Sequence, residues 1–271
     1  MNRKACQPED YSILINSSDG FEDCWNPFFT LLKKYWPECS APIFLNTETK
    51  TWQHPEFDIH CTAVQGEQQR RLTWSECLIS ALDQIKTPWV LYFQEDYFIH
   101  QPVRAEVIAA AVQHMVAHPE VKHIALTRHG SLGPYENYPV EGLQQIRQKA
   151  KYRISTQAAL WRVETLKSYL RPEENGWMFE IFGTWRARRR QECFLCAKFD
   201  NHHGGPAIDY LHTGIIKGKW LEDMPAIFST NNIEIDYSRR GFYQRKPILL
   251  HKFQVIKKLL ERPSYLIRYF F

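Results

Sequence analysis

No apolar run in these 271 residues approaches the ~20 that a helical membrane span needs. The opening stretch, MNRKACQPEDYS, has no hydrophobic segment of the kind a secretion signal carries, so a cytoplasmic protein is expected. The 7 cysteines are odd in number and scattered, which points to free thiols rather than a disulfide framework. Cys193 and Cys196 have zinc-like C-x-x-C spacing, but no second cysteine pair follows. A four-ligand site would have to draw on His202, His203 or His212 downstream. There is no internal repeat and no low-complexity linker, and a single domain with a C-terminal appendage is the simplest reading.

What is present is ordinary in bulk and uneven in detail. Apolar residues make up 44% and charged residues 24%, as in soluble globular proteins. Aromatics are high at 14%, which suits stacking on sugars or bases and equally suits core packing. The net charge of +4 is concentrated at the end: from Arg239 onward there are 9 Lys/Arg against one acid, Glu261, so the body is net acidic. The tail HKFQVIKKLLERPSYLIRYFF mixes these cations with Phe, Leu, Ile and Tyr. Such a segment forms either a helix at an anionic membrane surface or one packed on protein. With the basic residues clustering in the tail and an arginine run while the body is net acidic, nucleic acid is not the expected partner.

Apolar periodicity places strands at 11–16, 41–46, 58–64, 90–93, 121–126 and 154–161. It places helices at 24–35, 75–85 (capped by Thr73 or Ser75), 104–117, 163–170 and 177–190, and a loop at 130–142. The alternation predicts an α/β sheet of largely parallel type. Within it, TPWVLYFQEDYFI at 87–99 is an apolar strand ending in Gln94-Glu95-Asp96. Acids at a strand's carboxyl end project where α/β enzymes build their sites, and carboxylates there can hold a divalent cation. The plainer alternative is a solvated turn after a core strand.

The order of segments, YSILINSSD, then TWSECLISALDQIKTPWVLYFQED, then STQAALWR, then GWMFE, resembles a glycosyltransferase of GT-A fold in the layout of the large inverting family 2. It is similar also to bacterial sugar transferases of surface-polysaccharide clusters. The resemblance covers roughly residues 11 to 220 and implies a Rossmann-like, mixed, mostly parallel sheet flanked by helices over 1–238, with 239–271 as a basic helical appendage. It implies a nucleotide-sugar donor, a cell-surface glycan or glycolipid acceptor, and Mg2+ or Mn2+. The family's Asp-x-Asp falls on Gln94-Glu95-Asp96, so the first acid is a neutral Gln94 while Asp96 keeps the metal-touching position and Glu95 is a possible substitute.

The resemblance further implies roles for individual residues. Asn16, Ser17 and Asp19, with Asn46, Thr47 and Glu48, fall where base and ribose are met, although such residues also suit turns and caps. Trp74 and Ser75 precede the helix leading to the acidic tip, and Trp74 is either a stacking face or a core anchor. Glu180 is expected to be the catalytic base, with Trp177 and Phe179 making its surroundings apolar; the alternative is a helix-start Glu stabilised by the macrodipole. Lys217 and Lys219, at a glycine-flanked turn, would meet the diphosphate, and His212 would be a further metal ligand. The run Arg186, Arg188, Arg189 and Arg190 is read as an acceptor-binding patch, Arg186 foremost, or as a solvated helix face. The competing function is a non-catalytic nucleotide-sugar or glycan binding module.

Overall fold

The computed structural model describes residues 10–199 and 204–244, and the tail from 245 and the histidines His202 and His203 lie outside the described residues. One nine-stranded sheet organises the chain, in the order β3-β2-β1-β4-β8-β5-β9-β7-β6. Its strands are β1 (Tyr11–Asn16), β2 (Ile43–Asn46), β3 (Ile59–Cys61), β4 (Trp89–Gln94), β5 (Val121–Ala125), β6 (Tyr135–Asn137), β7 (Leu143–Ile146), β8 (Ala159–Arg162) and β9 (Cys193–Ala197). All but β7 and β8 run in one direction. The mixed, mostly parallel α/β sheet expected from the sequence is therefore present.

Strand alternation decides what each face packs against. Ile13, Ile15, Leu91 and Phe93 face α1 (Glu22–Tyr35) and α3 (Ala105–Ala117), together with Met224 and Phe228 of α6 (Met224–Thr230). Leu14, Val90 and Tyr92 face α2 (Trp74–Gln84), α4 (Val163–Tyr169) and α5 (Gly176–Ala187). β1 and β4 are covered on both sides, which is why they read as continuous apolar runs rather than alternating ones. Each fully buried Leu, Ile or Phe adds about 1.5–3 kcal/mol to the driving force.

The antiparallel insertion of β8 matters most for the site. Tyr92 pairs with Ala159 and Trp89 with Arg162, so the segment entering β8 lies beside the carboxyl end of β4. Chain that is far away in sequence is thereby delivered to the acidic tip. α2 begins with a capping box in which Thr73 and Glu76 exchange hydrogen bonds, so Thr73 rather than Ser75 is the cap. α5 begins at Asn175, whose side chain accepts from the Met178 N–H at 3.0 Å.

Several expectations are corrected. The predicted strand 154–161 is ordered as strand only in β8, because residues 155–158 turn to meet other elements. The loop at 130–142 contains the short edge strand β6. Cys193 and Cys196 both lie on β9, three residues apart, and so point to opposite faces of the sheet, Cys193 against one core and Cys196 in the other. One ion cannot be held by both, and among the described residues no cluster of metal-type ligands forms. Residues 239–244, grouped by charge with the appendage, are hydrogen-bonded into the domain: Trp220 N–H donates to Gly241 O at 3.0 Å and Tyr243 N–H to Trp220 O at 2.8 Å. Among the described residues no helix is long and apolar enough to cross a membrane.

Arg186 is a further correction. It is buried, and its guanidinium grips both oxygens of Glu174 at 2.6 Å and donates to the Tyr169 carbonyl at 2.6 Å. It ties α5 to the chain after α4 and faces no solvent through which an acceptor could approach. Replacing it leaves the buried Glu174 charge uncompensated. Arg186→Ala is expected to lose about 3–5 kcal/mol of stability in urea unfolding. An unchanged midpoint would refute the structural role assigned to this pair.

Candidate active site

β1, β2 and β4 end level with one another, Asn16 opposite Asn46 on one side and Gln94 on the other. Their amides make a connected ladder. Thr62 Oγ1 donates to Asn46 Oδ1 at 3.0 Å, Asn46 Nδ2 to Asn16 Oδ1 at 2.7 Å, and Asn16 Nδ2 to the Tyr92 hydroxyl at 3.2 Å. Thr47 accepts from Ala63 N–H at 3.1 Å through its hydroxyl. Asn16, Asn46 and Thr47 are buried, so they build the edge rather than present donors and acceptors to a ligand.

Ser17, Asp19 and Glu48 stand half-exposed above that ladder. Ser17 Oγ accepts from the Trp25 indole at 2.8 Å. Asp19 accepts from the N–H groups of Glu48 and Thr49, each at 2.9 Å, and Glu48 accepts in return from Asp19 N–H at 3.2 Å. Burial raises the Asp19 pKa, but the bonds from Thr49, Glu48 and Lys50 outweigh it and hold the carboxyl below its ordinary value. Trp74 packs on Phe179 with ring centroids 5.7 Å apart and covers Gly176, so it anchors α2 to α5. Ser75 is wholly buried behind it and reaches no ligand.

The acidic tip faces a cleft of about 670 Å3. Gln94, Glu95, Asp96, Arg128, His129, Tyr152, Thr156, Glu180, His212, Thr213 and Lys217 are among its lining residues. Asp96 and Glu180 therefore share one cavity although 84 positions separate their numbers. Asp96 is clamped: its Oδ2 accepts from the Thr213 hydroxyl and from Ile215 N–H at 3.1 Å. Its backbone carbonyl accepts from Gly214 N–H at 2.8 Å. Position 214 must be glycine, since a Cβ would lie 2.4 Å from the buried Phe98 ring and 3.0 Å from the Asp96 carbonyl oxygen. Among the described residues Asp96 Oδ1 is buried without a partner. An orphaned buried carboxylate oxygen is the kind of donor a cation takes, and His212 lines the same cleft, although among the described residues no cluster of three metal-type ligands forms.

Burial raises the Glu95 pKa well above its ordinary value, and the Asp96 charge raises it further. Burial likewise raises Asp96, and the bonds from Thr213 and Ile215 to its carboxylate oppose this. Glu180 lies in the second turn of α5. Its Oε1 accepts from Thr156 N–H at 2.9 Å and Thr156 Oγ1 at 3.0 Å. Burial raises its pKa, and these donors restrain the rise. His212 stands at the rim against His129, with ring centroids 5.3 Å apart. Desolvation of its inner side lowers its pKa, and the His129 ring adds to this.

Lys217 and Gly218 join β10 (Ile215–Ile216) to β11 (Lys219–Trp220) and have φ of 52° and 76°. Two positive φ values are what a tight hairpin of this twist needs, and they put Lys217 in the cleft lining. Lys219 is exposed on the far side of the turn, and Trp177 lies half-buried on the first turn of α5; neither lines the cleft.

Some functional residues escaped the sequence reading. Arg128 and His129 follow β5 as the acids follow β4, and the same strand-end logic would have found them. Thr156 and Thr213 carry no such signal. Arg240, grouped by charge with the tail, holds Asp23 through two bonds at 2.7 and 2.5 Å, the Gly20 carbonyl at 2.7 Å and the Gly218 carbonyl at 3.4 Å. Its guanidinium also covers the Phe21 ring at 4.5 Å. It thus staples the loop after β1 to the hairpin carrying Lys217.

No protein-family model matches the sequence, and no curated protein matches it either. Among solved structures, the S. aureus TarS fragment 1–349 in complex with UDP is 14% identical with a TM-score of 0.48, aligning over 70% of this chain and 58% of that one. A UDP-glucose pyrophosphorylase complexed with UDP-glucose is 8% identical with a TM-score of 0.46, over 82% and 97%. A CMP:2-keto-3-deoxy-manno-octonic acid synthetase complexed with CTP is 9% identical with a TM-score of 0.40, over 82% and 97%. The chain spans less than two thirds of the TarS fragment, and these are likenesses of chain path alone.

Two measurements check the electrostatics. A carboxyl with a raised native pKa subtracts stability once pH exceeds its unfolded value, and the loss is complete above the native pKa. Glu95→Gln is therefore expected to raise the melting temperature at neutral pH by about 2–4 °C per kcal/mol of relieved burial, with the gain vanishing towards about pH 4. A destabilised Glu95→Gln protein at pH 7 would contradict the assignment. Thr156→Val removes one donor from Glu180 and should move its titration, followed by carboxyl-carbon NMR, to higher pH; an unmoved titration would detach Thr156 from Glu180.

Proposed function

We propose that the chain is a nucleotide-sugar-dependent glycosyltransferase that transfers a sugar to a hydroxyl of a glycan or glycolipid acceptor with inversion. The observation that carries this reading is the shared cleft, with a clamped acid bearing an unpartnered oxygen on one wall and a desolvated carboxylate on the other. A binding module has no use for two charges held at such cost, and that favours catalysis over the non-catalytic alternative.

The donor diphosphate would lie against Asp96 and Lys217. Asp96, through Oδ1, and His212 would hold Mg2+ or Mn2+, which when bound supplies positive charge to the diphosphate. Lys217 meets the negative charge that develops as the glycosidic bond to the phosphate breaks. Glu180 takes the proton from the acceptor hydroxyl as its oxygen attacks the anomeric carbon. One displacement from the face opposite the leaving group inverts that carbon. The raised Glu180 pKa makes the group a stronger base than an exposed carboxylate, and the Thr156 donors favour its ionised form. A cytoplasmic location on the inner membrane face, close to lipid-carried acceptors of surface-polysaccharide assembly, suits the basic tail.

Thermal-shift measurements with UDP-, GDP-, dTDP- and CMP-linked sugars, with and without Mn2+, test donor binding. A donor present at 100 times its Kd stabilises the fold by about 2.7 kcal/mol. Asp96→Ala is expected to lose the shift and abolish transfer. Glu180→Gln is expected to keep the shift and lose about 100-fold or more in kcat. Full transfer by either variant would refute the role given to that residue.

A further inference from the structure

The cleft has an apolar lip that the donor chemistry does not use. Leu132 is 69% exposed and Tyr152 37% exposed, and both line the same cavity as Glu180. Tyr152 has a φ of 50°, a left-handed backbone that costs an L-residue roughly 1–2 kcal/mol. Its neighbours enforce that conformation. Lys151 is bonded on both backbone groups, its carbonyl accepting from Leu132 N–H and its N–H donating to Gly133 O, each at 3.0 Å. Arg153 is buried, donates to the Ile146 carbonyl and to Glu192 O at 2.6 Å, and lies 4.7 Å over the Phe194 ring. Glycine or asparagine would make the same turn without strain. A tyrosine there keeps the strain and leaves an aromatic ring open to solvent, and such uncompensated costs gather at ligand sites.

From this placement we infer that Leu132 and Tyr152 form a subsite for a sugar ring of the acceptor, taking its C–H face while its hydroxyls turn to the polar floor. The identification of this ring with the acceptor rests on the transferase reading above. The lining decides for a sugar over a lipid chain. Beyond the lip the lining includes Gln94, Glu95, Asp96, Arg128, His129 and Glu180, with Phe21 and Ile215 among them, a largely polar floor unsuited to an alkyl chain. A pyranose, with one apolar face and a rim of hydroxyls, matches a single apolar ledge over a charged floor.

The test uses the whole chain without donor. Methyl glycosides of gluco-, galacto- and manno-configured hexoses and N-acetylhexosamines are presented at millimolar concentration, and saturation-transfer NMR reads contact. At least one glycoside is expected to bind, with the strongest saturation on C–H protons of one ring face. Tyr152→Gly should weaken it about tenfold or more, equivalent to about 1.4 kcal/mol, with an equal or higher melting temperature. Tyr152→Phe should retain it. Absence of binding by every glycoside, or equal binding by Tyr152→Gly, overturns the proposal. Tyr152-dependent binding to phosphatidylglycerol vesicles without glycoside binding overturns it in favour of a lipid. Glycoside binding with no transfer from any donor would keep the subsite and reject the transferase; transfer unaffected by Tyr152→Gly would do the reverse.

Discussion

The Tyr97 hydroxyl donates to the Thr156 carbonyl at 3.1 Å, and through that bond the two halves of the site share one frame. Tyr97 follows Asp96 directly in the chain, and Thr156 holds Glu180 through its own N–H and hydroxyl. Gln157 reinforces the joint, donating to Tyr97 at 2.9 Å and accepting from Tyr210 at 3.1 Å, while the two tyrosine rings stack at 4.7 Å. Tyr97, Thr156, Gln157 and Tyr210 are buried, where a satisfied polar network fixes one arrangement and a broken one is costly. The joint exists because β8 runs antiparallel to β4 and so begins where β4 ends.

Around this joint the protein stores cost in one place and offsets it elsewhere. Glu95 and Asp96 are adjacent buried acids, and Tyr152 and Lys217 hold positive φ. The surrounding restraints are correspondingly dense. Thr213, Gly214 and Ile215 fix the tip from above, and Arg240 binds the loop after β1 to the Lys217 hairpin. Strain and unfavourable charge gathered in one cavity are what preorganisation for chemistry requires.

Much of the scaffold was legible in the sequence because local pattern and tertiary role agree there. β1 has the expected bounds, and α1, α2, α3 and β4 lie within about two residues of theirs, since both apolar runs and helical periodicity report burial directly. Asp96 stands out as a strand-end acid, Lys217 by its glycine-flanked turn, and Glu180 and His212 through the family resemblance; the fold brings all four to the lining of one cleft. Arg186 and Ser75 were misplaced, and Trp74 was left open between ligand and core, because a polar or aromatic residue near a site looks the same in sequence whether it faces a ligand or the protein interior. Thr213 reaches Asp96 across 117 positions, and no local signal encodes such a contact. β7, LQQI, went unread because a short strand of mixed polarity has no clear period, and β9, CFLCA, because a five-residue apolar run does not by itself separate strand from helix.

The central claim is that one donor complex touches both walls of the cleft. The most direct measurement is a crystal structure with the nucleotide sugar that most raises the melting temperature. The account predicts the diphosphate beside Asp96 Oδ1 and Lys217, with the anomeric carbon facing Glu180. A donor seated instead in the groove of about 460 Å3 between α3 and β9, lined by Val107, Ala111 and Leu143, would contradict it.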